Sequence, residues 1–357
     1  MSKKVFVGLS GGVDSSVTAA LLKQQGYDVT GVYMKNWSQD LPGMVCPWKQ
    51  DYQDAKRVAV HLGIPFKLYD FEKEYRQLVV DYMIREYRAG RTPNPDIMCN
   101  QEVKFKLFLE TAIADGTDMI ATGHYARIKD GKMFAGIDST KDQSYFLYRV
   151  TEDALKKSLM PIGEYKKSEV RELARKFGLA TADKKDSQGI CFVGKVGIKD
   201  FLLHELGPQP HGVIIDQHGK KIGEHDGALF YTIGQRHGLQ VGGGLPFYVT
   251  GKDMDKNIVY VTTDLQDDKL WHNELKLKEV YWINETPKTK SELQVRTRYR
   301  AQLVEIKEIL FAKDGPPESK NDDVINILLD EDVRAVTPGQ SAVIYDGERC
   351  LGGGIVY

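Results

Sequence analysis

Residues 1–204 alternate between short apolar runs and amphipathic stretches. Apolar runs typical of buried parallel strands occur at residues 5–9, 27–34, 65–69 and 118–122. Between these runs, apolar side chains recur at helical spacing over residues 51–62, 72–88 and 102–114. Strands that alternate with helices predict an α/β fold, a doubly wound parallel sheet with helices on both faces.

Beyond residue 204 the pattern changes to β structure. Short β-rich runs separated by Gly and Asp turns occur at residues 212–216, 247–250 and 258–261, and longer alternating strands at 295–301, 324–329 and 341–345. We therefore predict three domains: an α/β catalytic domain over 1–204, a small β-rich middle domain over 205–273 and a C-terminal antiparallel β-barrel over 274–357.

A glycine-rich loop joins the first predicted strand to the first predicted helix. Its residues, Ser10–Ser16, read SGGVDSS. Adjacent glycines let backbone N–H groups approach an anion closely, and the helix N-terminus and the serine hydroxyls add further donors. The loop lacks the lysine of the common NTPase motif and the spaced glycines of a dinucleotide fingerprint. It resembles the pyrophosphate loop of the ATP pyrophosphatases, which implies adenylylation of an oxygen with release of pyrophosphate.

Charge and hydropathy restrict the partners of the chain. The formal net charge is −1, so a polynucleotide would have to bind local basic patches. One candidate patch is Arg296, Arg298 and Arg300, which would share one face if the segment is a strand. No apolar stretch is long enough to span a membrane. Because residues 1–4 lead directly into the first strand, we expect no signal peptide and a cytoplasmic location.

The four cysteines stand at positions 46, 99, 191 and 350. None has the close spacing of a zinc site, so no metal site is predicted. Cys99 ends a proline-rich loop before the helix predicted from residue 101 or 102, which would place its thiol at a helix N-terminus and lower its pKa. Cys191 lies between two glycines, where both a core role and a functional role are open. Cys46 and Cys350 are interpreted as structural.

Seven motifs, in order across the whole chain, resemble those of the tRNA-specific 2-thiouridylase family. They are SGGVDSS, GRTPNPDIMCN at 90–100, ATGHYAR at 121–127, KDQSYFL at 141–147, DSQGICF at 186–192, YTIGQRHGL at 231–239 and RYR at 298–300. The resemblance implies that ATP activates the C2 oxygen of a wobble uridine in the tRNA anticodon loop, and that sulfur carried as a cysteine persulfide replaces it.

The resemblance also implies roles for individual residues. Cys191 would carry the persulfide, Cys99 would be the second nucleophile, and Asp96 would act as an acid or base. The residues expected to bind ATP are Gly8, Leu9, Ser10, Gly11, Gly12, Val13, Asp14, Ser15, Met34 and Gly123. The residues expected to contact tRNA are Asn94, Pro95, Asp96, His124, Lys141, Asp142, Gln143, Arg298, Tyr299 and Gln340.

Mg²⁺ is expected to accompany ATP, although no protein ligand set for it is legible in the sequence. The expected partners are tRNA and a sulfur donor such as a cysteine desulfurase or a sulfur-relay protein. Neither DNA nor a membrane is expected as a partner. After transfer, a second thiol can break the persulfide S–S bond, which would leave a Cys99–Cys191 disulfide.

Three alternatives stay open at this point. An amidating synthetase would use the same nucleotide loop but would need neither Cys99 nor Cys191. An RNA-binding protein with a vestigial loop would not convert ATP to AMP. A thiolase could instead hold an iron–sulfur cluster on Cys99, Cys191 and Cys46.

Overall fold

The computed structural model describes residues 2–41, 43, 45–186, 197–239, 241–242, 244–287, 292–311 and 324–357. Strands of the first part of the chain are β1 (Lys4–Gly8), β2 (Asp28–Lys35), β3 (Phe66–Asp70), β4 (Met119–Ala121), β5 (Ala126–Lys129), β6 (Lys132–Ala135) and β7 (Ser158–Leu159). A parallel sheet has the order β3-β2-β1-β4-β7.

Helices pack on both faces of this sheet. They are α1 (Val13–Gln24), α2 (Trp48–Leu62), α3 (Glu72–Tyr75), α4 (Asp81–Arg88), α5 (Pro95–Met98), α6 (Phe108–Ala114), α7 (Glu152–Lys156), α8 (Lys167–Lys176) and α9 (Ile198–Leu206). Alternate residues of β1 enter different cores: Phe6 packs with Val32 on one face, whereas Val5 and Val7 pack with Tyr33 on the other. The predicted sheet with two covered faces is confirmed.

Two of these helices are continued by π-helical segments. Arg76–Val80 joins α3 to α4, and Cys99–Leu107 joins α5 to α6. The second helical stretch therefore begins at Pro95, not at residue 101 or 102 as the sequence analysis expected. Proline is favoured at the first helical position because its missing N–H has no partner there in any case. The error came from reading the two prolines as loop residues only.

The middle domain is a small mixed sheet. It contains β8 (Gly212–Ile215), β9 (Lys221–His225), β10 (Tyr248–Asp253) and β11 (Ile258–Thr262), in the order β10-β11-β8-β9. Its apolar side chains form a separate core around Ile214, Val249 and Val259. The predicted β-rich middle domain is confirmed.

The C-terminal part is a closed antiparallel barrel. Its strands are β12 (Trp271–Trp282), β13 (Leu293–Arg296), β14 (Val304–Phe311), β15 (Ile325–Arg334), β16 (Ser341–Asp346) and β17 (Arg349–Val356). Pairing of β12 with β17 closes the order β12-β15-β14-β13-β16-β17, as predicted for a barrel. The β5–β6 hairpin pairs with β17 at Cys350 and Met133, so the barrel sheet extends into the first domain.

Candidate active site

The glycine-rich loop has the shape and the donors of a phosphate site. It follows β1, and α1 begins at Val13 with Gly12 as its N-cap residue. Gly11 has a φ of 76°, and a Cβ there would lie 2.4 Å from the Asp51 carbonyl oxygen. The Ser15 hydroxyl lies 3.2 Å from both the backbone nitrogen and the hydroxyl of Ser10. A loop this closely packed leaves room for an anion against its backbone only if glycine stays at position 11.

The carboxyl ends of three neighbouring strands meet beside this loop. A Cβ on Gly8, at the end of β1, would lie 2.9 Å from the Met34 methyl group on β2. A Cβ on Gly123, just after β4, would lie 2.7 Å from the Ser15 backbone nitrogen. Ligands of open parallel sheets bind at such strand ends. The structure therefore brings together the residues that the sequence analysis assigned to ATP.

A network of charged side chains contacts the loop at Asp14. The Lys167 ammonium lies 2.7 Å and 2.8 Å from the two carboxylate oxygens of Asp14, and 2.9 Å from Asp186. Lys141 and Arg171 also pair with Asp186, at 2.8 Å and 2.7 Å. Burial acts to raise the pKa of Asp186, but the bonds from Lys141 and Lys167 outweigh it and lower that pKa to about 2.

Sequence reasoning missed Lys167 and Arg171. Both lie on α8, whose alternation of charged and apolar residues is that of an ordinary amphipathic helix. No local pattern distinguishes them, because their partners Asp14 and Asp186 are distant in sequence.

The second predicted group of site residues lies on the loop before α5 and on the helix that follows. The Asn94 side-chain oxygen caps this helix by accepting a hydrogen bond from the Asp96 backbone N–H at 3.2 Å. Cys99 lies in the second turn and is only 4% exposed. Because the helix dipole acts mainly within the first turn, its expected effect on this thiol is weaker than the sequence analysis assumed. Cys191 lies outside the described residues.

Three titratable groups, Asp96, Lys104 and His124, lie near one another, and of these the His124 side chain is buried while the other two are half-buried. Burial raises the pKa of Asp96, and the nearby Lys104 ammonium opposes that shift. His124 is buried, with Nδ1 2.8 Å from the Thr122 hydroxyl and Nε2 3.5 Å from the Lys104 ammonium. Burial and Lys104 lower the pKa of His124 well below its usual value, so its imidazole is neutral near pH 7. Asp96 thus has the raised proton affinity that an acid or base requires.

Contacts from the other two domains fix the start of this loop. The Thr92 backbone N–H donates to the Pro338 carbonyl at 2.9 Å, and the Gln340 side-chain amide donates to the Thr92 carbonyl at 2.8 Å. The Thr92 hydroxyl lies 3.1 Å from that of Thr232 in the middle domain. All three domains therefore meet at Thr92.

The arginines of the RYR motif do not alternate along a strand. β13 ends at Arg296, and the residues after it form a turn, which corrects the expectation that Arg296, Arg298 and Arg300 share one strand face. Arg298 donates to the carbonyls of Ile233 and Ala335, so it ties the middle domain to the barrel.

The other predicted tRNA contacts have very different exposures. Asp142 is 3% exposed and accepts hydrogen bonds from the Gly136 and Ser144 backbone N–H groups, and from Arg296 at 3.0 Å. Gln143 accepts a hydrogen bond from the Tyr125 backbone. Tyr299 packs against Phe146, with ring centroids 4.5 Å apart. Asp142 and Gln143 hold the fold locally, whatever else they contact.

Within the described residues, no group of three or more His, Cys, Asp or Glu side chains is arranged to hold a metal ion. Cys191, one member of the alternative iron–sulfur ligand set, is not among those residues. Cys46 is buried against the Trp37 carbonyl, and burial raises the pKa of its thiol. None of the helices that the structure describes has the length and the apolar character needed to cross a membrane.

Comparison with known protein families and with relatives covers nearly the whole length of the chain. Three family profiles match successive parts of the chain: a tRNA methyl transferase HUP domain over residues 3–195, a tRNA methyl transferase PRC-barrel domain over 199–263 and an aminomethyltransferase β-barrel domain over 272–356. The chain is 47% identical to tRNA-specific 2-thiouridylase MnmA of Bacillus cereus and to that of Bacillus anthracis, over 99% of this chain and 94% of each relative.

Two solved structures each align with about half of this chain. An NMN synthetase from Francisella tularensis aligns with 52% of this chain and 66% of its own, at 18% identity and a TM-score of 0.35. A 4-thiouridine synthetase in complex with RNA and ATP aligns with 52% of this chain and 43% of its own, at 18% identity and a TM-score of 0.36. Likenesses of this size add nothing to the assignment.

Proposed function

The chain belongs to the tRNA-specific 2-thiouridylase family, and from this membership we propose that it replaces the C2 oxygen of the wobble uridine in tRNA with sulfur. The observation that carries the proposal is the placement of two adjacent residues. Gly123 packs on the nucleotide loop at Ser15, and His124 contacts Lys104 on the helix that carries Asp96 and Cys99. A nucleotide at the loop and a base at that helix are therefore neighbours.

The chemistry needs both sites because a uridine C2 carbonyl is a poor electrophile. In the first step, the C2 oxygen attacks the α-phosphate of ATP and pyrophosphate leaves. In the second, the terminal sulfur of a persulfide on Cys191 attacks C2, and AMP leaves with the original oxygen. In the third, the Cys99 thiolate attacks the Cys191 sulfur and breaks the S–S bond. Sulfur then stays on the base, and the resulting Cys99–Cys191 disulfide must be reduced by a thiol before the next cycle.

The residues around these steps have distinct tasks. The loop from Gly8 to Ser15 would hold the phosphates through its N–H groups and hydroxyls, with Met34 and Gly123 beside the rest of the nucleotide. Mg²⁺ bound with ATP would offset the phosphate charge. Asp96, whose pKa burial raises, is suited to hold or move a proton at the target base.

The wobble base must leave the anticodon stack to reach Cys99, since Cys99 is buried. Asn94 and Pro95, at the start of the helix, would then adjoin the base. The sulfur donor would be a cysteine desulfurase or a relay protein, and a cytoplasmic location would suit this partnership.

Thiolation of unmodified glutamate- or lysine-specific tRNA tests the proposal. The reaction contains ATP, Mg²⁺, cysteine and a cysteine desulfurase, and nucleoside mass analysis detects 2-thiouridine. We expect the product with the wild-type protein and none with Cys191→Ser or Cys99→Ser. Cys46→Ser is the matched control and should retain activity. Product from Cys191→Ser would refute the persulfide role, and absence of product from the wild type would refute the proposed substrate.

A further inference from the structure

A polar cavity of about 500 Å³ lies between the first domain and the barrel. It is lined by Ser139 and Thr140, on the turn after β6, and by Arg296 and Arg300, at the end of β13 and in the turn that follows. The Asp138 carboxylate fixes the first turn by accepting hydrogen bonds from the backbone N–H and the hydroxyl of Thr140, at 3.0 Å and 2.6 Å. Hydrogen bonds within the turn therefore hold the wall of the cavity that Ser139 and Thr140 form.

The two arginines of this cavity differ in charge balance. Arg296 pairs with the buried Asp142 carboxylate at 3.0 Å, so its charge is compensated. Arg300 is exposed, and no carboxylate of the described residues lies within ion-pair distance of it. Among the residues that the structure describes, Arg300 is therefore the arginine of this cavity that has no carboxylate partner.

The Arg300 guanidinium is held in place by its neighbour. It lies 5.0 Å from the centroid of the Tyr299 ring, a cation–π distance. Its backbone has a φ of 62°, in the left-handed region, which is unfavourable for a residue with a Cβ.

We propose that this cavity binds a backbone phosphate of the tRNA, with Arg300 as the principal contact. This inference rests on the proposed function. A guanidinium can donate to both non-bridging oxygens of a phosphodiester, and the Ser139 hydroxyl can donate to one of the same two oxygens. Lys141 directly follows Thr140, and Tyr299 directly precedes Arg300. Both are predicted tRNA contacts, so the cavity adjoins the surface on which the RNA would lie.

The salt dependence of tRNA binding tests this assignment. Arg300→Gln removes the charge, Arg300→Lys keeps it, and Lys276→Gln removes one exposed charge from β12 of the same barrel, away from the cavity. For Arg300→Gln, we expect the slope of log Kobs against log salt to become shallower by about 0.7–0.9, as for one lost phosphate contact. The KM for tRNA should rise while kcat and the affinity for MgATP stay unchanged. Arg300→Lys should keep the wild-type slope.

Three results would overturn the assignment. An Arg300→Gln slope equal to the wild-type slope means that no phosphate is bound at this arginine. An equal loss for Lys276→Gln means that the effect is one of overall charge. A loss of MgATP affinity means that the phosphate belongs to the nucleotide. A wild-type protein that neither binds tRNA nor forms 2-thiouridine would overturn the proposed function, and this site with it.

Discussion

The two halves of the candidate active site are built in opposite ways. The nucleotide loop, Gly8–Ser15, is a contiguous piece of sequence between β1 and α1, and its contacts are with other parts of the first domain. The loop that leads to Asp96 and Cys99 begins at Thr92, where Pro338 and Gln340 of the barrel and Thr232 of the middle domain hold it.

This difference separates two requirements of the proposed reaction. Nucleotide binding depends on one domain, whereas the position of the second nucleophile depends on the assembly of three. We therefore expect changes in the barrel that displace Thr92 to impair sulfur transfer without impairing nucleotide binding.

Gly11→Ala should have the largest effect, on nucleotide binding. Its Cβ would lie 2.4 Å from the Asp51 carbonyl oxygen, a backbone atom that cannot move aside cheaply. Relief of this contact would displace the backbone that is expected to hold the phosphates, at a cost of several kcal/mol. We therefore expect MgATP affinity to fall by at least about 100-fold. Calorimetric titration measures the loss.

Gly26→Ala is the matched control for that change. Gly26 has a similar φ of 88°, but a Cβ there meets nothing within 4 Å. It should lower stability by about 1–2 kcal/mol through backbone strain alone and leave MgATP binding intact. If both variants lose nucleotide affinity equally, the contact with Asp51 is not what shapes the loop.

Gly339→Ala should impair sulfur transfer from a distance. Gly339 lies in the barrel at a φ of 92°, and its Cβ would lie 2.8 Å from the Thr92 backbone nitrogen. We expect 2-thiouridine formation to fall by about tenfold or more, because a small misplacement of a reacting group is costly, while MgATP affinity stays unchanged. Single-turnover assays measure the rate of 2-thiouridine formation, and calorimetric titration measures the affinity for MgATP.

Gly347→Ala serves as the control in the same barrel. Its φ is 55°, and a Cβ there meets nothing within 4 Å. Thiolation by this variant should match the wild type. Loss of MgATP binding by Gly339→Ala would show that the two halves of the site are not independent.

The same contrast explains what sequence reasoning could predict. The phosphate-binding character of the nucleotide loop was predictable because its shape depends on neighbouring glycines and the helix that follows, whereas its individual ATP contacts were inferred from the family resemblance and stay predictions. The sheet, the middle domain and the barrel were predicted because their hydrophobic periods are regular. Burial of Asp142 and the interdomain role of Arg298 were not predictable, since Arg296 and Ile233, their partners, are distant in sequence. The roles of Cys99 and Cys191 stay predictions.

The smallest expected effect is on the pH dependence of stability. It also distinguishes the nucleotide loop from the loop that begins at Thr92. Ion pairs support the nucleotide loop, whereas Thr92 is held by hydrogen bonds to carbonyl and hydroxyl oxygens. The pKa of Asp186 is about 2 in the folded protein, below the ordinary value of 3.8. A lowered carboxyl pKa stabilises the fold above the unfolded pKa, and this contribution disappears as pH falls from about 4 towards 2.

Asp186→Asn should therefore lower the free energy of unfolding by at most about 2 kcal/mol at pH 6, and by progressively less as the pH falls below 4. Urea denaturation at pH 6, 4 and 3 measures the difference. Asp183→Asn removes a carboxylate that pairs with Arg175 but is 84% exposed, and it should change stability by less than about 0.5 kcal/mol at each pH. If Asp186→Asn is as mild as this control at pH 6, the ion pairs of Asp186 with Lys141, Lys167 and Arg171 do not stabilise the fold.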